Sequence, residues 1–480
     1  MQNEDCINLV ALSTDLKSAV PRLMSVAAHG GLNESVRASA WRLFLRVVPP
    51  GAPEKWASVV AAQRERYRAL KEAALANLAE AMAQAILEHD EDEDDAAAVA
   101  PRHRDEFAAV EEAADQIRGD LERCYPEGAG AHFLEASRQS LMFGVLLVWS
   151  HQHQPLGYRQ GMHELLAPLV WAMERSADAS ATVCLPPDNA LDALLVDPKF
   201  IEHDVYWLFD ALMELMQPLY AAPGEAVIVA PVVDAAPVEA DAAPASADAA
   251  TAPGARSTDG PDSRKQRFAV SPVVAMCARV QDERLRGVDV ELHAHLSQAV
   301  GRDVVLPQVY MLSWLRLAFG RQFAIDDLVR VWDAFFSTAK HEAHLDPDRT
   351  ALFPTMVDWL EATATLLLIV ERQNLLASDS MGCMQLLLRC VAPEPLWTTT
   401  QARRLHNDPS VAEPLIAALR QQASLGSILP TWAISFLSSI GVVAQTPSKS
   451  AQHDARDDSS YAGGLFRQVL CVTSPASVEN

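Results

Sequence analysis

The chain has 480 residues, of which 50% are hydrophobic and 21% are charged, and its formal net charge is −24. This length can bury a substantial core, and the composition is typical of a globular protein with some disordered segments. A nucleic-acid-binding surface needs positive charge to displace counterions, so we expect no nucleic-acid partner. An acidic surface also repels anionic membrane faces, which argues against membrane binding through charge alone.

Cysteine usage and the apolar runs indicate a cytoplasmic protein. The cysteines are odd in number and form no CxxC pair, so neither a zinc ribbon nor a disulfide framework is predicted. Residues 1–10 carry two acids and no basic region, which is unlike a secretory signal. The longest apolar runs, 141–149 and 165–173, are shorter than the roughly 20 residues that cross a bilayer. We therefore predict no transmembrane segment.

Three segments are predicted to be unstructured because of their composition. Six consecutive acids at 90–95 repel one another and predict an acidic loop near 88–103. Residues 221–265, rich in Ala, Pro, Asp and Ser, read as a linker, and 445–480 as a tail. The folded parts are then an N-terminal segment, two halves of one domain and a C-terminal helical extension: 1–26, 27–220, 266–376 and 377–444.

Between these segments, apolar residues recur at helical spacing. The pattern predicts helices over 56–87, 133–149, 206–216, 309–319 and 325–336. No run of alternating β-branched residues is long enough to indicate a sheet. The predicted fold class is all-α.

The first of two unusual motifs runs from Ile117 to Arg123. On a helix, Ile117 and Leu121 face the core together, while Asp120 and Arg123 lie three apart on a neighbouring face. Pro126 disfavours helical geometry in the residue before it. The sequence therefore predicts that Arg123 lies in the last turn of a helix, paired with Asp120 and directed outward.

The second motif begins at Tyr158, directly after a turn at 155–157. Gln160 and Gly161 precede an apolar helix, which Pro168 is expected to kink. Unpaired N–H groups at a helix N-terminus favour an anionic ligand. Taken alone, however, each motif also fits a bland explanation: a surface ion pair for the first, and a polar residue near a helix cap for the second.

Several enzyme signatures are missing from the sequence. There is no GxxxxGK[ST], so the chain is not expected to hold nucleotide phosphates in a P-loop. There is no GxSxG and no set of kinase motifs. His163-Glu164 begins like HExxH, but Ala167 replaces the second histidine, so no metal site is predicted.

Taken together, IxxDxxR at 117–123 and YxQGM at 158–162 resemble the TBC-domain Rab GTPase-activating proteins. An earlier segment with Arg37 and Trp41 looks like the RxxxW opening helix of that domain. Further blocks in the family's order lie at 202–213, 307–316, 319–323 and 331–336. The strings YRQGMHELLAP and VDVELHAHL look closest to the member-5-type branch, whose members act in endosome, retromer and autophagy traffic.

The resemblance implies a two-subdomain TBC helical fold and a dual-finger mechanism. In the family, the two motifs supply an arginine and a glutamine to the active site of the GTPase. Carried over, Arg123 neutralises charge on the γ-phosphate in the transition state, and Gln160 orients the attacking water. Asp120 would then orient Arg123, while Tyr158 and Gly161 shape the turn that presents Gln160.

The remaining assignments follow from the same resemblance. Ile117 supports the arginine motif, Arg37 and Trp41 pack the opening helix, and Arg159 is a rim contact. Cys124 stands where many family members have threonine, which puts a polar contact in doubt. The chain would activate a Rab GTPase without being an enzyme itself, since GTP and Mg²⁺ are carried by the partner. Recruitment to endosomal or autophagic membranes and contact with retromer or autophagy proteins are also implied.

Two further hypotheses stay open at the level of sequence. A catalytically silent scaffold of the same fold could hold a Rab or a coat complex. Separately, Phe107 and Val110 follow an acidic pair, as in the short motif that adds a strand to ubiquitin-like autophagy proteins. Phe107 could equally belong to the buried face of a helix.

Overall fold

The computed structural model describes residues 16–29, 31–49, 52–90, 101–124, 126–182, 194–222, 271–297, 304–338 and 352–417. All of them belong to one compact unit, residues 1–432, and the second unit, 433–480, lies outside the described residues. Within the described ranges the chain forms helices and turns and no strand, so the predicted all-α class is confirmed. The predicted tail and nearly all of the predicted linker lie outside these ranges.

The first half of the chain contributes eight α-helices within the described ranges. They are α1 (Leu16–His29), α2 (Glu34–Phe44), α3 (Trp56–Asp90), α4 (Pro101–Leu121), α5 (Gly130–Phe133), α6 (Ala136–Gln152), α7 (Met162–Thr182) and α8 (Ile201–Met216).

The second half begins with a continuous helical stretch that includes a π-helical segment, Arg279–Leu285. The helices are α9 (Pro272–Ala278), α10 (Arg286–Val288), α11 (Val290–Ser297), α12 (Pro307–Arg316), α13 (Ile325–Phe336), α14 (Phe353–Val370), α15 (Arg372–Leu376), α16 (Ser380–Leu388) and α17 (Pro395–Asn407). No described helix is long and apolar enough to cross a membrane.

The predicted helices are present, with differences at their ends. The segment predicted over 133–149 is two helices, because a turn at 134–135 separates α5 from α6. The helix predicted over 309–319 is α12, and it ends early because Ala318 and Phe319 have φ values of 43° and 65°. Helices α3 and α4 extend three residues into each end of the predicted acidic loop.

Helix α7 forms the centre of the first half because its stretch 165–173 is apolar on every side. Residues 165–173 are all buried, as expected for a helix without a polar face. The helix continues through Pro168 and packs against α2, α6, α8 and α13. Its first turn is therefore held in place by both halves of the fold.

A buried carboxylate, Asp333 on α13, joins the opening helix to the second half. It accepts hydrogen bonds from Leu32 N at 2.7 Å, Trp41 Nε1 at 2.8 Å and Arg37 Nε at 3.1 Å. Burial raises the pKa of Asp333 to about 6, while Arg37 and the N–H donors oppose this shift. Asp333 is thus charged at neutral pH and balances the buried guanidinium of Arg37. This placement agrees with the predicted packing role of Arg37 and Trp41.

We expect Asp333→Ala to destabilise the fold by about 3 to 5 kcal/mol, because it leaves a buried arginine without its counter-charge. Arg330→Ala on the same helix is the control: Arg330 is exposed and only 4.0 Å from Asp327. Its effect should stay within about 0.5 kcal/mol. Urea denaturation measures both, and equal midpoints for the two variants would contradict the role given to Asp333.

Candidate functional site

Arg123 lies in a tight turn that follows α4. The helix ends at Leu121, so the prediction that Arg123 occupies its last turn is corrected by two residues. The physical reason is the change in bonding: Arg123 N donates to Asp120 O, three residues back, at 3.2 Å. Leaving the helix directs the side chain outward, and it is 69% exposed.

The partner of Arg123 is a buried carboxylate, which distinguishes this pair from an ordinary surface ion pair. Asp120 Oδ1 accepts from Arg123 Nη2 at 2.7 Å, and the Asp120 side chain is 2% exposed. One turn earlier, Arg118 bonds Asp115 at the same spacing, but Asp115 is 69% exposed. Both pairs read alike in the sequence, and only the first is anchored in the core.

Tyr158 connects the arginine motif to the glutamine motif. Its hydroxyl donates to Asp120 Oδ2 at 2.8 Å, and its backbone N donates to Ser150 Oγ on α6 at 3.0 Å. Burial, followed by the hydrogen bond to Asp120, raises the pKa of Tyr158, so the hydroxyl stays a donor. The Asp120 carboxylate therefore accepts hydrogen bonds from both Arg123 and Tyr158. Tyr158 lies two positions before Gln160.

Gln160 and Gly161 directly precede α7, as predicted. The Gln160 side chain is exposed, whereas Gly161 is buried with φ of +100°. A Cβ at Gly161 would lie 3.1 Å from Leu317 Cδ2, in the loop after α12. The left-handed conformation and this close approach together require glycine. The glutamine side chain is thus presented directly before the first turn of α7, where the helix dipole favours anions.

His163 extends the network behind the two motifs. Because the Tyr158 hydrogen goes to Asp120, His163 Nδ1 donates to the Tyr158 hydroxyl, at 3.0 Å. Its Nδ1 also lies 3.6 Å from Asp120 Oδ2, and its Nε2 lies 4.0 Å from Glu164 Oε1. In the sequence, His163 stands out only as part of an incomplete zinc motif, and no local signal indicates its place in this network.

The far end of the network is an ion pair between the two halves of the chain. Arg321 Nη2 and Nε bond the two carboxylate oxygens of Glu164 at 2.6 and 2.8 Å. Nearby, Ile325 N donates to Glu127 O at 2.9 Å, which ties the start of α13 to the turn after Arg123. The loop 317–324, between α12 and α13, thus contacts the second motif and leads into an α13 residue that contacts the turn after the first.

The remaining predicted residues fall into buried and exposed groups. Ile117 is fully buried and Arg159 is exposed, as the assigned roles require. Cys124 is buried, and burial, with Glu164 and Asp120, raises the pKa of its thiol to about 12, so it stays neutral.

The predicted strand-adding motif lies within α4. Val110 is half-buried, and the side chain of Phe107 lies outside the described residues. The motif stays a prediction, and its use would require these residues to leave the helix.

The site is a surface whose exposed groups can bind an anion. It presents an exposed guanidinium and an exposed carboxamide, both backed by a buried polar network. The described residues contain no cluster of His, Cys, Asp or Glu able to hold a metal ion. An outward arginine beside a helix N-terminus can stabilise negative charge on a group supplied by a partner.

We expect Gly161→Ala to destabilise the protein by about 1 to 3 kcal/mol, because φ of +100° and the contact with Leu317 both resist a Cβ. Gly119→Ala is the matched control: Gly119 lies inside α4, and a Cβ there meets nothing within 4 Å. It should stabilise by about 0.5 to 1 kcal/mol. Chemical denaturation measures the free energy of unfolding of both variants, and changes of opposite sign support the assignment. No change in the free energy of unfolding for Gly161→Ala would contradict it.

We expect His163 to titrate below its ordinary pKa of 6.5. Burial lowers its pKa, Glu164 and Asp120 raise it, and the positive charges of Arg321 and Arg123 lower it again. The unfolded chain then binds this proton more readily than the folded chain. Neutral His163 therefore contributes its full stabilisation above pH 6.5. This contribution is lost as the pH falls from 6.5 towards the pKa of His163 in the folded chain.

NMR titration of the imidazole signals tests this expectation. His153 is an internal reference: burial lowers its pKa, but Asp210 raises it by more, so it should titrate above 6.5. A His163 midpoint at or above that of His153 would contradict the burial of His163.

Comparisons with known proteins agree with this geometry. Residues 34–227 match the family model of the Rab-GTPase-TBC domain. TBC1 domain family member 5 of Mus musculus is 28% identical over 387 residues, which are 76% of this chain and 40% of the relative. The protein of that name from Homo sapiens is 28% identical over 380 residues, 75% of this chain and 40% of the relative. The chain therefore spans about two fifths of the length of these curated relatives.

A solved structure shows the same fold. The Ypt/Rab-GAP domain of Gyp1p matches with a TM-score of 0.50 and 15% sequence identity, covering 82% of this chain and 93% of that one. The described helices thus have the architecture predicted from the motifs. Over residues 34–227 the chain is therefore similar to the Rab-GTPase-TBC domain, and its described helices share the fold of the Gyp1p domain.

Proposed function

We propose that this protein accelerates GTP hydrolysis by a Rab-family GTPase, to which it lends Arg123 as an arginine finger and Gln160 as a glutamine finger. The observation that carries the proposal is the buried Asp120 carboxylate, which bonds Arg123 at 2.7 Å and Tyr158 at 2.8 Å. It holds Arg123 directly and holds the turn before Gln160 through Tyr158.

The arginine suits the chemistry of phosphoryl transfer. Negative charge spreads over the oxygens of the transferred phosphoryl group, and catalysis is almost entirely positioning and electrostatic stabilisation. A guanidinium is permanently charged and offers a planar set of donors. Because Asp120 fixes one edge of Arg123, less side-chain freedom is lost when the other edge reaches the phosphate.

The glutamine has a complementary task. Its carboxamide can accept a hydrogen bond from the attacking water and donate one to an oxygen of the phosphate. Gln160 is exposed and lies directly before Gly161, whose left-handed backbone fixes the direction in which the turn leads into α7. The partner GTPase would carry GTP and Mg²⁺, and this chain supplies the two side chains.

A hydrolysis assay with purified Rab GTPases loaded with GTP tests the proposal on the full chain. Arg123→Ala should lower the stimulated rate by about 10³- to 10⁵-fold, because it removes an arginine finger. Gln160→Ala should lower it by roughly 10²- to 10³-fold, as for other transition-state donors. Binding of the GTP-loaded Rab should be largely retained in both.

Arg118→Ala provides a matched control, since Arg118 lies on α4 and pairs with an aspartate at the same spacing. The rate of GTP hydrolysis stimulated by Arg118→Ala should stay within about twofold of wild type, because an exposed ion pair contributes little to stability. Normal stimulation by Arg123→Ala would refute the finger assignment. Binding of a Rab without any stimulation by wild type would favour the silent scaffold instead.

Two further parts of the proposal come from the family resemblance. Endosomal or autophagic membranes are the proposed site of action, and retromer or autophagy proteins are proposed additional partners. The curated relatives carry the name TBC1 domain family member 5, in agreement with the predicted branch.

A further inference from the structure

We infer that Arg321 binds a carboxylate on the surface of the partner GTPase, beside the place that Arg123 reaches. The inference rests on the proposed function and extends it from the chemical step to recognition of the partner. Arg321 lies in the loop 317–324, far from both finger motifs in the sequence.

The first observation is how Arg321 is held. Its Nε and Nη2 bond both oxygens of Glu164, at 2.8 and 2.6 Å, yet its side chain is 61% exposed. One edge of the guanidinium is fixed, and the rest of it faces solvent. A planar arginine fixed in this way offers its remaining donors without first losing much freedom.

The second observation is that this loop packs against the glutamine motif and leads directly into a contact with the turn after the arginine motif. Leu317 approaches Gly161, the residue after the glutamine finger. Just past the loop, Ile325 N donates to Glu127 O, in the turn after the arginine finger. Trp332 Nε1 donates to Ala318 O at 3.1 Å, where the backbone has positive φ. A partner that reaches both fingers therefore lies against the loop that carries Arg321.

The third observation concerns charge. The chain has a net charge of −24, so arginines presented beside the fingers stand out from an acidic surface. Glu164 alone would repel an anionic partner at this place, and Arg321 neutralises it. Charge complementarity of this kind aids encounter and fixes register in protein complexes.

The network also separates the task of Arg321 from that of Arg123. Asp120, Tyr158, His163 and Glu164 lie between the two guanidiniums, in successive contacts. Two arginines set apart by four side chains reach different parts of a partner. Because Arg123 is assigned to the phosphate of GTP, Arg321 is available to bind an anionic group of the GTPase protein itself. The anionic groups that proteins present are carboxylates.

The test measures kcat and KM for GTP-loaded Rab with full-length wild type, Arg321→Ala, Arg321→Lys and Arg330→Ala. A contact made equally in the ground state and the transition state affects KM alone. Arg321→Ala should raise KM roughly three- to tenfold, leave kcat within about twofold and weaken the salt dependence of kcat/KM. Arg321→Lys should recover part of the loss, and Arg330→Ala should match wild type.

Each outcome decides the inference. A lower kcat at unchanged KM, or no change in either, overturns the binding role of Arg321 while the proposed function stands. If wild type stimulates no Rab in the panel, the proposed function fails first. In that case, binding of Rab loaded with a non-hydrolysable GTP analogue is compared between wild type and Arg321→Ala, and equal affinities or no binding at all overturn the inference as well.

Discussion

The site depends on one buried carboxylate. Asp120 is almost sealed from solvent, yet its two oxygens bond an exposed arginine and a buried tyrosine from a distant segment. An unpaired buried carboxylate is costly, and the hydrogen bonds from Tyr158 and Arg123 together offset that cost. The hydrogen bonds that satisfy the buried Asp120 carboxylate therefore also fix Arg123 relative to the turn that presents Gln160. Presentation of the site and stability of the fold share one interaction.

A second constraint comes from the C-terminal half. The loop 317–324 contributes no finger, but it meets Gly161 through Leu317 and Glu164 through Arg321. The start of α13 meets the turn after Arg123. Arg123 and Gln160 both lie in short turns outside the helices. The second half of the fold therefore supports the two turns that carry Arg123 and Gln160. Arg321 adds an exposed positive charge to this supporting surface.

Buried charge recurs where distant segments meet, each time with its partner. Asp333 joins α13 to the opening helix through Arg37 and Trp41. Asp204 on α8 likewise bonds Arg42 and Arg64, both buried. Such pairs offer no large net stabilisation over apolar packing, but breaking one leaves an uncompensated charge. They specify which helices meet, and so keep the arginine and glutamine motifs in a single arrangement.

The sequence by itself determined the all-α class, most helices and the positions of the arginine and glutamine motifs, because helical periodicity and turn residues are local signals. It also placed Gln160 and Gly161 at the start of a helix, since the turn at 155–157 and the apolar run are adjacent in the chain. It could not separate Asp120–Arg123 from Asp115–Arg118, because spacing is identical and burial is not a local property. The roles of His163, Glu164 and Arg321 were decided only by tertiary packing, which brings together residues whose separation in the chain carries no signal of contact.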